Sequence, residues 1–197
     1  MVRFSKEATV AERADVVRNR AAVLEAAEAL FAREDLDRVT LARVAEAAGV
    51  GKATVLRRFG DLGGLVEAVL APRVGALRDA LRTGPPPLGP GAQEGEALHA
   101  YLDALLDFVL ENRTLIRALE HRRPNAYYAN PASQFWIGEL ESRIHAVHPA
   151  ADARHLAHVV FTSLRADVID YLRAEEGMSV ERLRAGLHAL LPPQPPA

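Results

Sequence analysis

The chain has 197 residues, 49% of them hydrophobic and 25% charged, with a formal net charge of −2 and no cysteine. That balance is typical of a globular protein, and without cysteine neither disulfides nor thiolate metal sites can form. No stretch approaches the about 18 apolar residues of a membrane span, and MVRFSKEATVAERAD at the start lacks the apolar block of a signal peptide, so a cytoplasmic protein without a membrane partner is expected.

The first helical pattern carries Val17, Leu24, Ala27, Leu30 and Phe31 at one-face spacing, with Arg18, Arg20 and Glu25 on other faces. Thr40 to Phe59 follows, TLARVAEAAGVGKATVLRRF, with two short helical patterns around a tight turn at Gly49. Leu41, Val44, Ala45 and Ala48 line one face of the first. Val55 and Phe59 point inward from the second and leave Lys52, Thr54, Arg57 and Arg58 for another surface. Two helices joined by a short, Gly-containing turn form a helix-turn-helix, in which the first helix crosses the DNA backbone and the second enters the major groove. An ordinary helical hairpin has the same periodicity, but here a helix precedes the pair. Another follows, opened by Asp61 as N-cap and carried by Leu65, Val69 and Leu77. A compact DNA-binding head is the expected result.

The charges agree with that placement. Residues 1–58 hold 11 Lys+Arg against 9 Asp+Glu, a net of +2, and the remainder holds 13 against 17, a net of −4. The asymmetry is modest, so local placement matters more. Lys52, Arg57 and Arg58 fall within a run that contains no acid.

This head resembles the tetracycline-repressor (TetR) family. The resemblance is carried by AAVLEAAEALFA (Ala21–Ala32), Thr40, VAEAAGV (Val44–Val50), Thr54, Phe59 and Leu65. It implies a ligand-responsive transcriptional regulator, a repressor rather than an activator, and no enzyme. It also implies that Thr40, Ala42, Arg43, Gly51, Lys52, Ala53, Thr54, Leu56, Arg57 and Arg58 contact double-stranded operator DNA. Thr40, Lys52 and Thr54 would hold the backbone, Arg57 a base edge and Arg58 phosphate or base, while Ala42 and Ala53 offer methyl groups. The chain departs from the family where Ser, Tyr and a fourth-helix Lys are frequent: Gly51, Leu56 and Leu62 stand there, and the His or Tyr position is Arg58. Arg57 and Arg58 can replace the missing phosphate contacts, because a guanidinium fork binds phosphate or guanine in bidentate fashion. The run ANPASQFW (Ala129–Trp136) is similar to the SbtR-like subgroup.

Pro72 falls inside the fourth helical pattern, where it cannot donate to the Ala68 carbonyl, so a kink or hinge is expected. TGPPPLGPGA (Thr83–Ala92) cannot continue a helix and reads as a connector to a C-terminal body. The body reads as helical throughout. Leu98, Tyr101, Leu102, Leu105, Phe108 and Val109 form a stripe, and Leu115–Arg122 makes a shorter helix. Asn130 and Pro131 take N-cap and N1 of a segment to about Val147. A long helix then runs from Pro149 to a stop at Gly177, and Ser179 caps a last one. The expectation is an all-α fold of about nine helices. It has a helix-turn-helix domain at 1–62, a ligand-binding and dimerisation domain at 63–191, and a disordered tail at 192–197.

Val159, Val160, Phe161 and Leu164 cover two sides of one helix, more than a single buried face needs. A two-fold operator calls for a two-fold protein, so a homodimer is expected, with Val159, Ser163, Ala166, Leu183 and Leu187 at its interface. Aromatic and polar residues of the body are candidates to bind a small-molecule effector: Tyr101, Leu105, Arg117, His121, Tyr127, Tyr128, Phe135, Trp136 and Phe161, with His155 beside them. No cofactor and no resident metal are expected. The competing reading is a metal-dependent bundle enzyme or metal sensor. It would use the H-x-x-H pairs His145/His148 and His155/His158, with Glu141 or Asp152 as carboxylate partner. The phosphate-loop, nucleophile-elbow and zinc-protease motifs are absent.

Overall fold

A computed structural model describes residues 4–34, 36–120 and 125–191. Regular structure among them is all helical: α1 (Phe4–Arg33), a 3-10 turn (Leu36–Arg38), α2 (Leu41–Ala47), α3 (Lys52–Phe59), α4 (Leu62–Thr83), α5 (Glu94–Glu111), α6 (Arg113–Glu120), α7 (Ala126–Ala129), α8 (Pro131–Val147), α9 (Ala153–Ser163), α10 (Ala166–Ala174) and α11 (Val180–Leu190). The chain divides into two compact units, Met1–Ala71 and Pro72–Ala197, with the division inside α4. His121 and the tail at 192–197 lie outside the described residues.

In the first unit Val23, Ala27 and Phe31 of α1 are buried with Val44, Ala45, Val55, Leu62, Leu65 and Val66. The buried stripe of α1 repeats at i, i+4 from Val23; Val17 lies off it and is 66% exposed. The core of the second unit is built on α5, α8 and α9, with Leu98, Leu102, Leu106, Leu140, Ile144 and Val160 at its centre. α11 lies against α5. There Arg184 pairs with Asp103 at 2.9 Å and Asp107 at 2.6 Å, and the His188 ring stacks on His99 with centroids 4.3 Å apart.

Local signals set most helix ends. The side chains of Thr40, Asn130 and Ser179 accept the backbone N–H three residues on, at 3.2, 2.9 and 3.2 Å, and Asp61 does the same for Gly64 at 2.9 Å. Pro131 stands in the first turn of α8, where its missing N–H costs nothing.

Among the described residues there are eleven α-helices rather than about nine, and the extra ends have identifiable causes. The long helix expected from Pro149 begins only at Ala153, where Asp152 caps the His155 N–H at 3.0 Å. It then divides at Leu164–Arg165. In an unbroken helix the N–H groups of Ala166 and Asp167 would reach back one turn. They donate instead to the two carboxylate oxygens of Glu120 on α6, at 2.9 and 3.2 Å. Arg165 takes extended backbone angles at the break. α5 likewise ends at Asn112, whose side-chain amide donates to the Phe108 carbonyl at 2.8 Å. The Thr83–Ala92 run joins α4 to α5 inside the second unit, and Leu88 packs on that unit's core, so it is a loop of the body and no boundary between units.

Candidate nucleic-acid interface

α2 starts where the Thr40 hydroxyl caps it and ends in a turn at Gly49, which has φ +64°. A Cβ there would meet nothing within 4 Å, so glycine is required by the left-handed backbone and not by crowding. The Val50 N–H closes the turn on the Ala45 carbonyl at 2.9 Å. α3 follows with Val55 buried beneath it.

The outer surface of α3 carries Lys52, Ala53, Leu56, Arg57 and Arg58, all exposed, with Leu56 50% accessible. Ala53, Leu56 and Arg57 share one face at i, i+3 and i+4. The cations are not equivalent. Arg58 donates to the Val16 carbonyl of α1 at 3.0 Å. Arg43 is held by the Glu34 carboxylate, with one contact at 2.7 Å, and reaches the Arg38 carbonyl at 3.4 Å. Lys52 and Arg57 form no ion pair or hydrogen bond among the described residues, so their charge stays available. Ala42 and Gly51 are exposed and Thr54 is half-buried.

In the second unit the aromatic candidates fall into two groups. The Tyr101 hydroxyl donates to the Trp136 carbonyl at 3.1 Å, and Phe135 meets Trp136 edge-on at 4.9 Å. Tyr127 stacks on Phe161 at 4.8 Å and donates to that residue's carbonyl at 3.1 Å, while Tyr128 bonds the Thr162 hydroxyl at 3.2 Å. Burial pushes the phenols of Tyr101 and Tyr127 well above the usual range, so both are neutral donors. Leu105 is buried, Arg117 pairs with Asp170 at 2.8 Å, and His155 is exposed.

Of the interface candidates, Val159 is 41% exposed, and Ser163 and Leu183 are half-buried. Ala166 and Leu187 are buried within their own chain and present no surface to a partner. The histidine pairs do not converge: among the described residues no three His, Asp or Glu side chains form a group that could hold a metal. His158 Nδ1 is taken by the Arg154 carbonyl at 2.8 Å, and Asp152 is engaged as a helix cap.

Residues 23–69, the stretch from mid-α1 through α3 into α4, match the family described as bacterial regulatory proteins, tetR family. Over these residues the head is similar to the tetR family. Solved structures extend the likeness to the fold of both units. The fatty acid degradation regulator FadR from Bacillus halodurans superposes with TM-score 0.63 at 15% identity, over 87% of this chain and 93% of that one. A protein from Saccharomonospora viridis solved in complex with choline gives 0.61 at 21%, over 86% and 93%. NalD of Pseudomonas aeruginosa, the secondary repressor of the MexAB-OprM efflux pump, gives 0.53 at 18%, over 90% and 93%. Comparison with curated protein sequences gives no match.

No described helix is long and apolar enough to cross a membrane. Two features of the body escaped the sequence reading. Arg78 of α4 lies over the Phe135 ring, and Glu120 of α6 caps α10. Neither has a local signature, since each meets its partner at a separation of more than forty residues.

Proposed function

We propose that the protein is a transcriptional repressor that binds a palindromic operator as a homodimer and releases it when a small molecule occupies the body. The observation that carries this reading is the pair of exposed cations Lys52 and Arg57, without partners among the described residues, on a helix that follows a capped, Gly-turned partner. A major-groove helix needs charge that is not already spent on its own protein. Arg57 reads a base edge, with its fork suited to guanine O6 and N7. Lys52, Thr54 and the Thr40 hydroxyl hold phosphates on either side. Leu56, Ala42 and Ala53 offer apolar contacts, and Gly51 lets the backbone at the start of α3 approach closely. Arg58, tied to Val16, and Arg43, tied to Glu34, set the pitch of the two helices and lend charge to the backbone.

The two-fold partner docks on the exposed side of α9 and α11, where Val159 and Leu190 leave apolar surface open. The effector occupies the aromatic part of the body; a chain of this fold from Saccharomonospora viridis was solved in complex with choline. The test is selection of genomic fragments bound by the purified protein, followed by binding isotherms on the enriched sequence and on random DNA. An enriched inverted repeat bound as a two-fold complex is the expected result; retention of all fragments alike would refute the reading.

A further inference from the structure

The effector response proposed above rests on the body, and Arg78 there is a cation with incomplete surroundings. Arg78 stands on α4 with its guanidinium carbon 4.3 Å from the Phe135 ring centroid and 5.8 Å from that of Trp136. Its hydrogen bonding among the described residues is one long contact, 3.4 Å from Nη2 to the Pro131 carbonyl. Its Nε is buried and, among the described residues, has no hydrogen-bond partner and no paired carboxylate. Arg82, one turn along the same helix, pairs with Asp79 at 2.6 Å. Arg143 also has a buried Nε without a hydrogen-bond partner, but the Glu139 carboxylate stands 3.8 Å from it, and among the described residues no carboxylate comes so near Arg78.

A buried guanidinium N–H without an acceptor costs free energy, because the water it lost has not been replaced. Stacking on Phe135 engages the face of the guanidinium and leaves its in-plane N–H edge with only the long Pro131 contact among the described residues. That edge is the part that binds an oxyanion through two parallel hydrogen bonds. The ring beneath supplies apolar surface for whatever carries the anion. The charge also reaches inward: burial, then Glu139, push the Tyr101 phenol up, while Arg143 and Arg78 pull it down.

We propose that Arg78, seated on Phe135, is the anion anchor of the effector site, and that the effector is a small molecule bearing an oxyanion on an apolar body. The anchor selects charge through the fork, and Phe135 holds the fork in place. Carboxylate and phosphate would use the same two N–H groups.

The test is calorimetric titration of the full-length protein with octanoate, benzoate and phenyl phosphate, each against a neutral or cationic counterpart: octanamide, benzamide, phenol and octyltrimethylammonium. At least one oxyanion should bind roughly tenfold or more tightly than its counterpart, the scale of a charge-assisted bidentate contact. Which one does so separates carboxylate from phosphate. Arg78→Gln should erase the preference, and Arg82→Gln should leave it intact. Should Arg78→Gln fail to fold, Phe135→Leu keeps the charge, removes its seat and should lower the oxyanion affinity several-fold. Equal binding of counterparts, binding of no oxyanion, or an unchanged preference in both Arg78→Gln and Phe135→Leu would overturn the proposal. Operator binding without any probe is measured in parallel. Its absence in the wild type refutes the repressor reading alone, whereas an oxyanion that binds at Arg78 and leaves operator affinity unchanged refutes the effector assignment.

Discussion

The carboxylate of Glu120 accepts the backbone N–H of Ala166 at 2.9 Å, so a side chain on α6 ends one helix and begins the next. The Glu120 side chain is only 1% exposed, and the Arg165 guanidinium stands 3.9 Å away. Burial raises its pKa, partly opposed by the Ala166 N–H, so the charged form is held at a cost. A carboxylate with a raised folded pKa binds its proton more tightly when folded. Its contribution to stability is therefore largest at low pH and falls as pH rises through the folded value. The difference in unfolding free energy between wild type and Glu120→Gln should drift against the wild type across that window and level off above it. Glu120→Ala, which strips the acceptor from the Ala166 and Asp167 N–H groups, should cost about 1–3 kcal/mol. Urea unfolding at a series of pH values checks both.

On α3 the two free cations should behave differently. Arg57→Ala is expected to cost about 1–3 kcal/mol on the operator and to relax sequence preference. Lys52→Ala should weaken operator and random DNA together and reduce the salt slope by about one unit. Isotherms at several salt concentrations separate the two, and equal losses on both DNAs for Arg57→Ala would remove its base-reading role.

Arg58→Ala should loosen the hold of α3 on α1 at the Val16 carbonyl, a loss of about 1 kcal/mol of stability without DNA present. Thermal unfolding of the free protein is the check. A variant as stable as wild type with weakened DNA binding would make Arg58 a pure DNA contact.

Assembly is best tested at Val159, because it is exposed, whereas a charge at buried Leu187 would damage the protomer itself. Val159→Glu should sediment as a folded monomer and bind operator poorly, since paired recognition helices about 34–36 Å apart are what meet successive major grooves. A half-site bound as tightly as the full palindrome would argue against the dimer.

Pro72 lies within α4, at the division of the chain into two units. It leaves the Ala68 carbonyl without its helical donor, which loosens that turn. Pro72→Ala should slow amide exchange across residues 68–76. If the loose turn is a hinge, the substitution should also change how far the effector shifts operator affinity, within the limit set by the effector's differential affinity for the two states. Slower exchange with unaltered coupling would leave a kink that only shapes the helix.

What the sequence determined by itself is local. The caps at Thr40, Asp61, Asn130 and Ser179 and the turn at Gly49 are each set by residues three or four positions apart, and a helix reads at that range. The head was legible for that reason: its elements are short, capped and joined by tight turns. What tertiary structure alone decided comes from longer distances. No pattern near Arg165 announces a break, because the acceptor that makes it is Glu120, on another helix. An apolar stripe cannot say which of its members face the protein's own core, so Ala166 and Leu187 lie inside while Val159 stays outside. Arg78 reads as one more surface arginine until folding sets it on Phe135, because periodicity records which face a residue occupies and not what that face meets.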